Sequence, residues 1–414
     1  MKLFSYLLVA CAGLGLFACN TENDPVIENG DGVTKSVSLK LNGISGSLNT
    51  KAVEPGTPAA GKIVLKDLKI VFYDKTATDG PIYRIEEFDG TSTNQADKEK
   101  WADLTGTGGT GNPGYIFHDL DPKVNAVLVV GNWKNEGKTF TWTNVTSIKS
   151  SVLLAANENK AVSDFTTPTP VISTKNYVTL WGQSIGDFAI GTADPIHPNT
   201  TLYTTSVDIK PLVSRFEIGN IQCIDLGNIY SKFDLKGIGL IDMSLTNTIL
   251  TGPTPLGLSK RLVINDDIVE SAPGTGQYLF GDPGNAISWA YNSISPLVTV
   301  SSASTKYNPD TDKKFVYNFF PDPTGFPNIK LVLDNVMLKT GPESSFDYVV
   351  TANFKDGRTT PASAIIPTAG KIYTIDLAFK EENIGPWDPD KFKCVIVDVN
   401  VADWEIIPLV PEFK

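Results

Sequence analysis

The sequence predicts an all-β protein built as two β-sandwich domains in tandem. Short runs rich in Val, Ile, Tyr and Phe recur at short intervals, Gly, Pro, Asn and Asp punctuate them, and helical periodicity is scarce. A chain of 414 residues, 41% hydrophobic, has the length for two or three domains of about 100–200 residues and enough apolar material for sizeable cores. Two large domains fit the strand runs best.

The chain opens with Lys2, an apolar run over residues 3–17, and Ala18 before Cys19. This is the pattern of a signal peptide, residues 1–18, with Cys19 placed for lipidation by acyl chains such as palmitate. The apolar run is shorter than the ~20 residues that span a bilayer, so membrane contact is expected from the lipid, each buried CH2 contributing about 0.8 kcal/mol. Polar residues 19–32 read as a lipid-anchored tether.

From Val33 the texture becomes a period-two alternation. SVSLKLNG places Val37, Leu39 and Leu41 on one face, with Ser38 and Lys40 on the other. The small, flexible stretch 45–61 follows, with Lys51 before Ala52 in a segment suited to proteolysis. Further strands are expected in KIVLKDLKIVFYD from Lys62 onward and at 126–133, 176–182, 204–221, 234–243, 314–320, 329–338, 346–354, 371–379 and 393–407. Short helices are expected at 94–104 and around 147–157. The domain reading is therefore 33–205 for the first sandwich, with 33–51 as a removable strand and loop, 206–391 for the second, and 392–414 as a C-terminal strand segment.

Charge and motifs narrow the function. A net charge of −11 with no basic patch makes the chain a poor partner for nucleic acid. His118 and His197 are the only histidines, and neither sits at metal-ligand spacing with Cys or with the other, so both read as surface or loop residues and no metal or cofactor is called. No Gly-x-Ser-x-Gly elbow is present, and the chain is not expected to be an enzyme. The Gly-rich stretch 106–114 lacks the Gly-Lys-Ser/Thr ending of a phosphate cradle and reads as a loop. Asp310 and Asp312 lack the rest of a calcium loop and read as a turn. Cys223 and Cys394 read as thiols buried in two strands. A disulfide would need their Cα atoms within about 7 Å, which sequence leaves open. Of the tryptophans, Trp133, Trp181 and Trp404 lie within expected strands and read as packing residues.

The two ends carry more information. Near the C-terminus Val395, Val397, Val399 and Val401 alternate with Ile396, Asp398, Asn400 and Ala402, followed by Trp404 and Ile406 before Pro408 and Pro411. Such a strand is either an edge of its own domain or a donor to another subunit's sheet. A cut between Lys51 and Ala52 would free the strand of Val37, Leu39 and Leu41 and open an apolar groove. Inserting about five side chains there gives a gross gain of roughly 8–15 kcal/mol before ordering costs. One donor and one acceptor per subunit make a head-to-tail contact that builds filaments.

The order of these landmarks resembles the Bacteroidales fimbrillins, subunits of lipoprotein-derived (type V) pili: Cys19 after its apolar run, the early strand, the loop with Lys51, AVLVVGNW, VTLWG, VDIKPLVSRFEIGNI, KFVYNFFP, GKIYTIDL and VNVADWEII. The resemblance implies two transthyretin-like, Greek-key sandwiches and export as an outer-membrane lipoprotein. It also implies surface proteolysis that removes the N-terminal strand, and donor-strand exchange through the C-terminal segment into a cell-surface fimbrium. The implied partners are other pilin subunits, accessory or tip subunits, the outer membrane and a processing protease. Where relatives cut by an arginine-directed protease carry Arg, this chain has Lys51; its first Arg is Arg84. The competing reading is a lipid-anchored glycan-binding sandwich that stacks sugars on exposed tryptophans.

Overall fold

The computed structural model describes residues 34–44, 62–106, 114–136, 141–154, 158, 177–184, 186–198, 200–241, 246–249, 292–308, 315–322, 328–341, 348–352, 355–356, 363–364, 366–386, 396–403 and 405–408. The chain is all-β, as its alternation requires: period-two burial is explicit in Lys35–Asn42, where Val37, Leu39 and Leu41 are buried and Lys40 is exposed.

Two sandwiches follow each other, each with two sheets. In the first, one sheet has the order Tyr115–Leu120, Lys35–Asn42, Thr201–Asp208, Ala189–Ala193, and the other Lys210–Pro211, Leu180–Gln183, Ala126–Gly131, Asp67–Tyr73, Ile82–Asp89. The sheets pack face to face, with Phe72 of one meeting Phe117 of the other edge-on at 4.8 Å between ring centroids. In the second sandwich, Ser214–Cys223 lies between Lys371–Phe379 and Phe315–Phe319, with Ile396–Asp403 beyond Lys371–Phe379. The facing sheet runs Asn292–Val300, Tyr230–Ile241, Asn328–Leu338, Tyr348–Ala352, Gly385–Pro386. Here Tyr317 Oη donates to the Ile238 carbonyl at 2.9 Å across the layers.

Set side by side, the two sandwiches have one topology. In each, the first strand pairs parallel with a late strand, Lys35–Asn42 with Thr201–Asp208 and Ser214–Cys223 with Lys371–Phe379, and antiparallel with a middle one, Tyr115–Leu120 or Phe315–Phe319. The second sheets match strand for strand, all antiparallel. They differ at one edge. Ala189–Ala193 flanks the late strand in the first sandwich, and Ile396–Asp403 does so in the second.

Sequence and structure part in several places. The run at 204–221 splits at Pro211, and the second sandwich opens at Ser214; Thr201–Asp208 runs through the boundary expected at 206. Around 147–157 the chain forms a helix only over Val145–Lys149, then the strand Val152–Leu154. The helix expected at 94–104 is present as Gln95–Thr105, capped by Asn94, whose side chain accepts from the N–H groups of Ala96 and Asp97. Ile82–Asp89, Tyr115–Leu120 and Ala189–Ala193 were not expected; the last is exposed throughout and carries no alternation to read. Among the described residues no helix is long and apolar enough to cross a membrane.

The sandwiches are joined by buried polar contacts and two short ribbons. Asn318 Nδ2 donates to the Glu158 carbonyl at 2.6 Å, while the Glu158 carboxylate accepts from the Thr179 N–H and hydroxyl. Thr246–Thr248 pairs with Val152–Leu154, and Glu405–Pro408 pairs parallel with Lys62–Leu65. Cys223 is buried, which pushes its thiol up to about 12; Cys394 lies outside the described residues.

Candidate functional site: the first strand and the C-terminal strand

The first strand is central in its sheet. Seven residues, 36–42, pair in register with Thr201–Asp208 on one side, and Tyr115–Leu120 holds the other. Val37 and Leu39 are 0% exposed and Leu41 1%. At about 1.5–3 kcal/mol per fully buried side chain, these three contribute roughly 5–9 kcal/mol of gross burial, all of it lost if the strand leaves. The ends are fastened by polar contacts. Lys35 Nζ donates to the Val124 carbonyl at 2.7 Å and sits 4.3 Å over the Tyr203 ring, and burial lowers its pKa. At the other end Asn42 Nδ2 donates to Asp208 Oδ1 at 2.8 Å. Gly43 follows at φ +85, where an added Cβ would lie 2.5 Å from the Ile209 carbonyl oxygen.

The C-terminal run, read from sequence as one strand, is divided between the sandwiches. Ile396–Asp403 is the edge of a sheet in the second, antiparallel to Lys371–Phe379, and Glu405–Pro408 continues onto the first. Register sets Val397, Val399 and Val401 opposite Leu377, Ile375 and Tyr373, all three buried. Ile406 is opposite Ile63, which is itself fully buried. The expected sites Cys19, Lys51 and Ala52, and Val395 and Trp404 of the C-terminal segment, lie outside the described residues.

The remaining candidates also have places. Trp101, Trp142 and Trp181 are buried. Trp133 is half-buried beneath Lys69, whose ammonium lies 3.8 Å from its ring and 4.5 Å from that of Trp142. Trp289, Trp387, Trp404, Asp310 and Asp312 are outside the described residues, as is the Gly-rich loop between Gly106 and Gly114. His118 and His197, far apart in sequence, are neighbours, with ring centroids 5.2 Å apart. Sequence spacing gave no signal for that pairing, because sheet order alone brings the two segments together.

No protein-family model and no curated protein matches this chain. Similar solved structures are fimbrial and candidate cell-adhesion proteins. They include a candidate cell adhesion protein from Bacteroides eggerthii, 12% identical over 91% of this chain and 98% of that one, with a TM-score of 0.49. A fimbrilin from Porphyromonas gingivalis is 12% identical over 91% of this chain and 99% of that one, with a TM-score of 0.43. A tip fimbrial protein from the same species is 12% identical over 82% of this chain and 94% of its own, with a TM-score of 0.38.

Proposed function

We propose that the chain is a structural subunit of a cell-surface fimbria, polymerising by protease-triggered donor-strand exchange and supporting adhesion or biofilm formation, as a stalk rather than a tip subunit. One observation carries this reading. The eight-residue strand Lys35–Asn42 fills a central, two-sided site in its sheet, and the eight-residue strand Ile396–Asp403 sits at an edge with one neighbour among the described residues. A cut between Lys51 and Ala52 severs the first strand from the rest of its sandwich. The vacated site offers backbone hydrogen bonds on both sides and the pockets of Val37, Leu39 and Leu41. The C-terminal segment of a second copy, with Val395, Val397, Val399, Val401, Trp404 and Ile406, is the proposed occupant. Acyl chains on Cys19 would hold the uncut precursor at the outer membrane.

The test is limited trypsin treatment of the chain from Asn20, read on an unheated SDS gel with N-terminal sequencing of each band. A ladder of SDS-resistant multimers whose subunits begin at Ala52 is the expected result. A stable monomer beginning at Ala52 would count against strand exchange and favour a glycan-binding module.

A further inference from the structure

The outer face of the first sandwich carries a side-chain cluster that strand exchange does not use. Ser36 alternates with Val37 on the first strand, yet it too is 0% exposed. Over it meet His118, on the neighbouring strand Tyr115–Leu120, and the turn after Ala189–Ala193 that holds Asp194 and His197. His118 Nδ1 lies 2.6 Å from Asp194 Oδ2. One donor atom from each of His118, Asp194 and His197 lies within 4.8 Å of the other two.

Asp194 is built as a ligand would be. Its side chain is fully buried, and Oδ1 accepts the backbone N–H groups of Ile196 and His197 at 2.8 and 3.0 Å, which leaves Oδ2 facing the imidazole. His197 Nδ1 is shielded and without a hydrogen-bond partner, although the side chain as a whole is 39% exposed, and Asp119 Oδ1 is 3.7 Å away. A ring nitrogen lacking a partner, beside a second imidazole and an oriented carboxylate, is the donor set a metal ion takes.

We propose that His118, Asp194 and His197 form a binding site for a divalent transition metal of the Zn2+ class. Two imidazoles and one carboxylate suit such an ion, whereas calcium and magnesium prefer oxygen alone. Bonds of about 2.0–2.2 Å place tetrahedral ligands roughly 3.3–3.5 Å apart, so the His118–Asp194 pair opens from 2.6 Å while wider pairs within the 4.8 Å set draw in, adjustments that imidazole rotation supplies. Asp119, in the left-handed region at φ 56, or water completes the shell. On binding, one ring nitrogen of each neutral histidine and an Asp194 oxygen donate their lone pairs; where His118 ligates through Nδ1, the proton on that atom is exchanged through solvent for one on Nε2, so the ring stays a neutral imidazole. The ion would tie the Tyr115–Leu120 strand to residues 194–197 across the outside of the first strand. All three ligands belong to segments that a cut at Lys51 leaves in place, and the uncut chain already brings them together.

The test is isothermal titration of ZnCl2 into the untagged, chelator-stripped chain from Asn20, with the visible spectrum of the Co2+-loaded protein as a second readout. One equivalent bound at about micromolar Kd or tighter is expected, with tetrahedral Co2+ bands. His118→Gln and His197→Gln should each weaken binding at least tenfold and abolish those bands. Absence of saturable binding, or binding unchanged in both variants, overturns the proposal. Should a variant fail to fold, the parent's Co2+ spectrum still decides: octahedral bands or none would also overturn it.

Discussion

The two sandwiches share a strand order but differ in how the first strand is attached. In the second, Ser214–Cys223 passes to Tyr230–Ile241 through residues 224–229 alone, and that turn is pinned: the Glu381 carboxylate accepts the backbone N–H groups of Gly227, Asn228, Ile229 and Tyr230. In the first, the path from Asn42 to Lys62 takes residues 43–61. One position in a sheet is thus followed by a short pinned turn in one domain and by the long connection 43–61 in the other. Strand order governs what a strand contributes to the core; under the proposed function, the long connection is what lets the first strand leave.

Removing the C-terminal strand breaks the comparison most severely. A chain ending at residue 391 should lose every SDS-resistant multimer after trypsin, while still accepting a strand from full-length subunits and capping their ladder. Continued self-assembly of the truncated chain would rule out the donor role.

Core substitutions at matched positions should separate the domains next. Leu39→Ala and Ile218→Ala each remove a side chain that is 0% exposed from a central strand and should cost about 2–5 kcal/mol in urea denaturation of the uncut chain. After cleavage and assembly, the Leu39→Ala cost should vanish with the strand, and the Ile218→Ala cost should persist. A Leu39→Ala deficit that survives assembly would mean that the first strand stays in place.

Glu381→Gln probes the pinned turn and should cost about 1–3 kcal/mol at pH 7 by leaving backbone donors under-satisfied. The four N–H bonds outweigh burial and lower the Glu381 pKa from its usual 4.5. A carboxyl whose folded pKa is depressed contributes stability above its unfolded value and loses it as the pH falls through the folded one. Denaturation midpoints from pH 7 to pH 3 should therefore fall less steeply in Glu381→Gln than in the parent; parallel slopes would remove Glu381 from this role.

Gly43→Ala should give the smallest effect, about 1–2 kcal/mol, because φ +85 and the Ile209 carbonyl both resist a Cβ. Like Leu39→Ala, it should lose its effect once the first strand is removed.

Much of the fold was legible because strand burial is local. The alternation that buries Val37, Leu39 and Leu41, and the β-branched run at Ala126–Gly131, announce themselves within a few residues. Exposed strands such as Ala189–Ala193 did not, having no buried face to mark them. The C-terminal run read as one strand because its composition is continuous, yet its two halves pair with different sandwiches.

By itself, the sequence determined the all-β class, the inward face of the first strand and the position of its long connection, since each depends on residue type over a short window. Only the tertiary structure decided that first and late strands pair in parallel, that both sandwiches repeat one topology, and that His118, Asp194 and His197 converge over Ser36. Those facts depend on which distant segments become sheet neighbours, and backbone pairing between strands leaves no trace in the spacing of the residues it brings together.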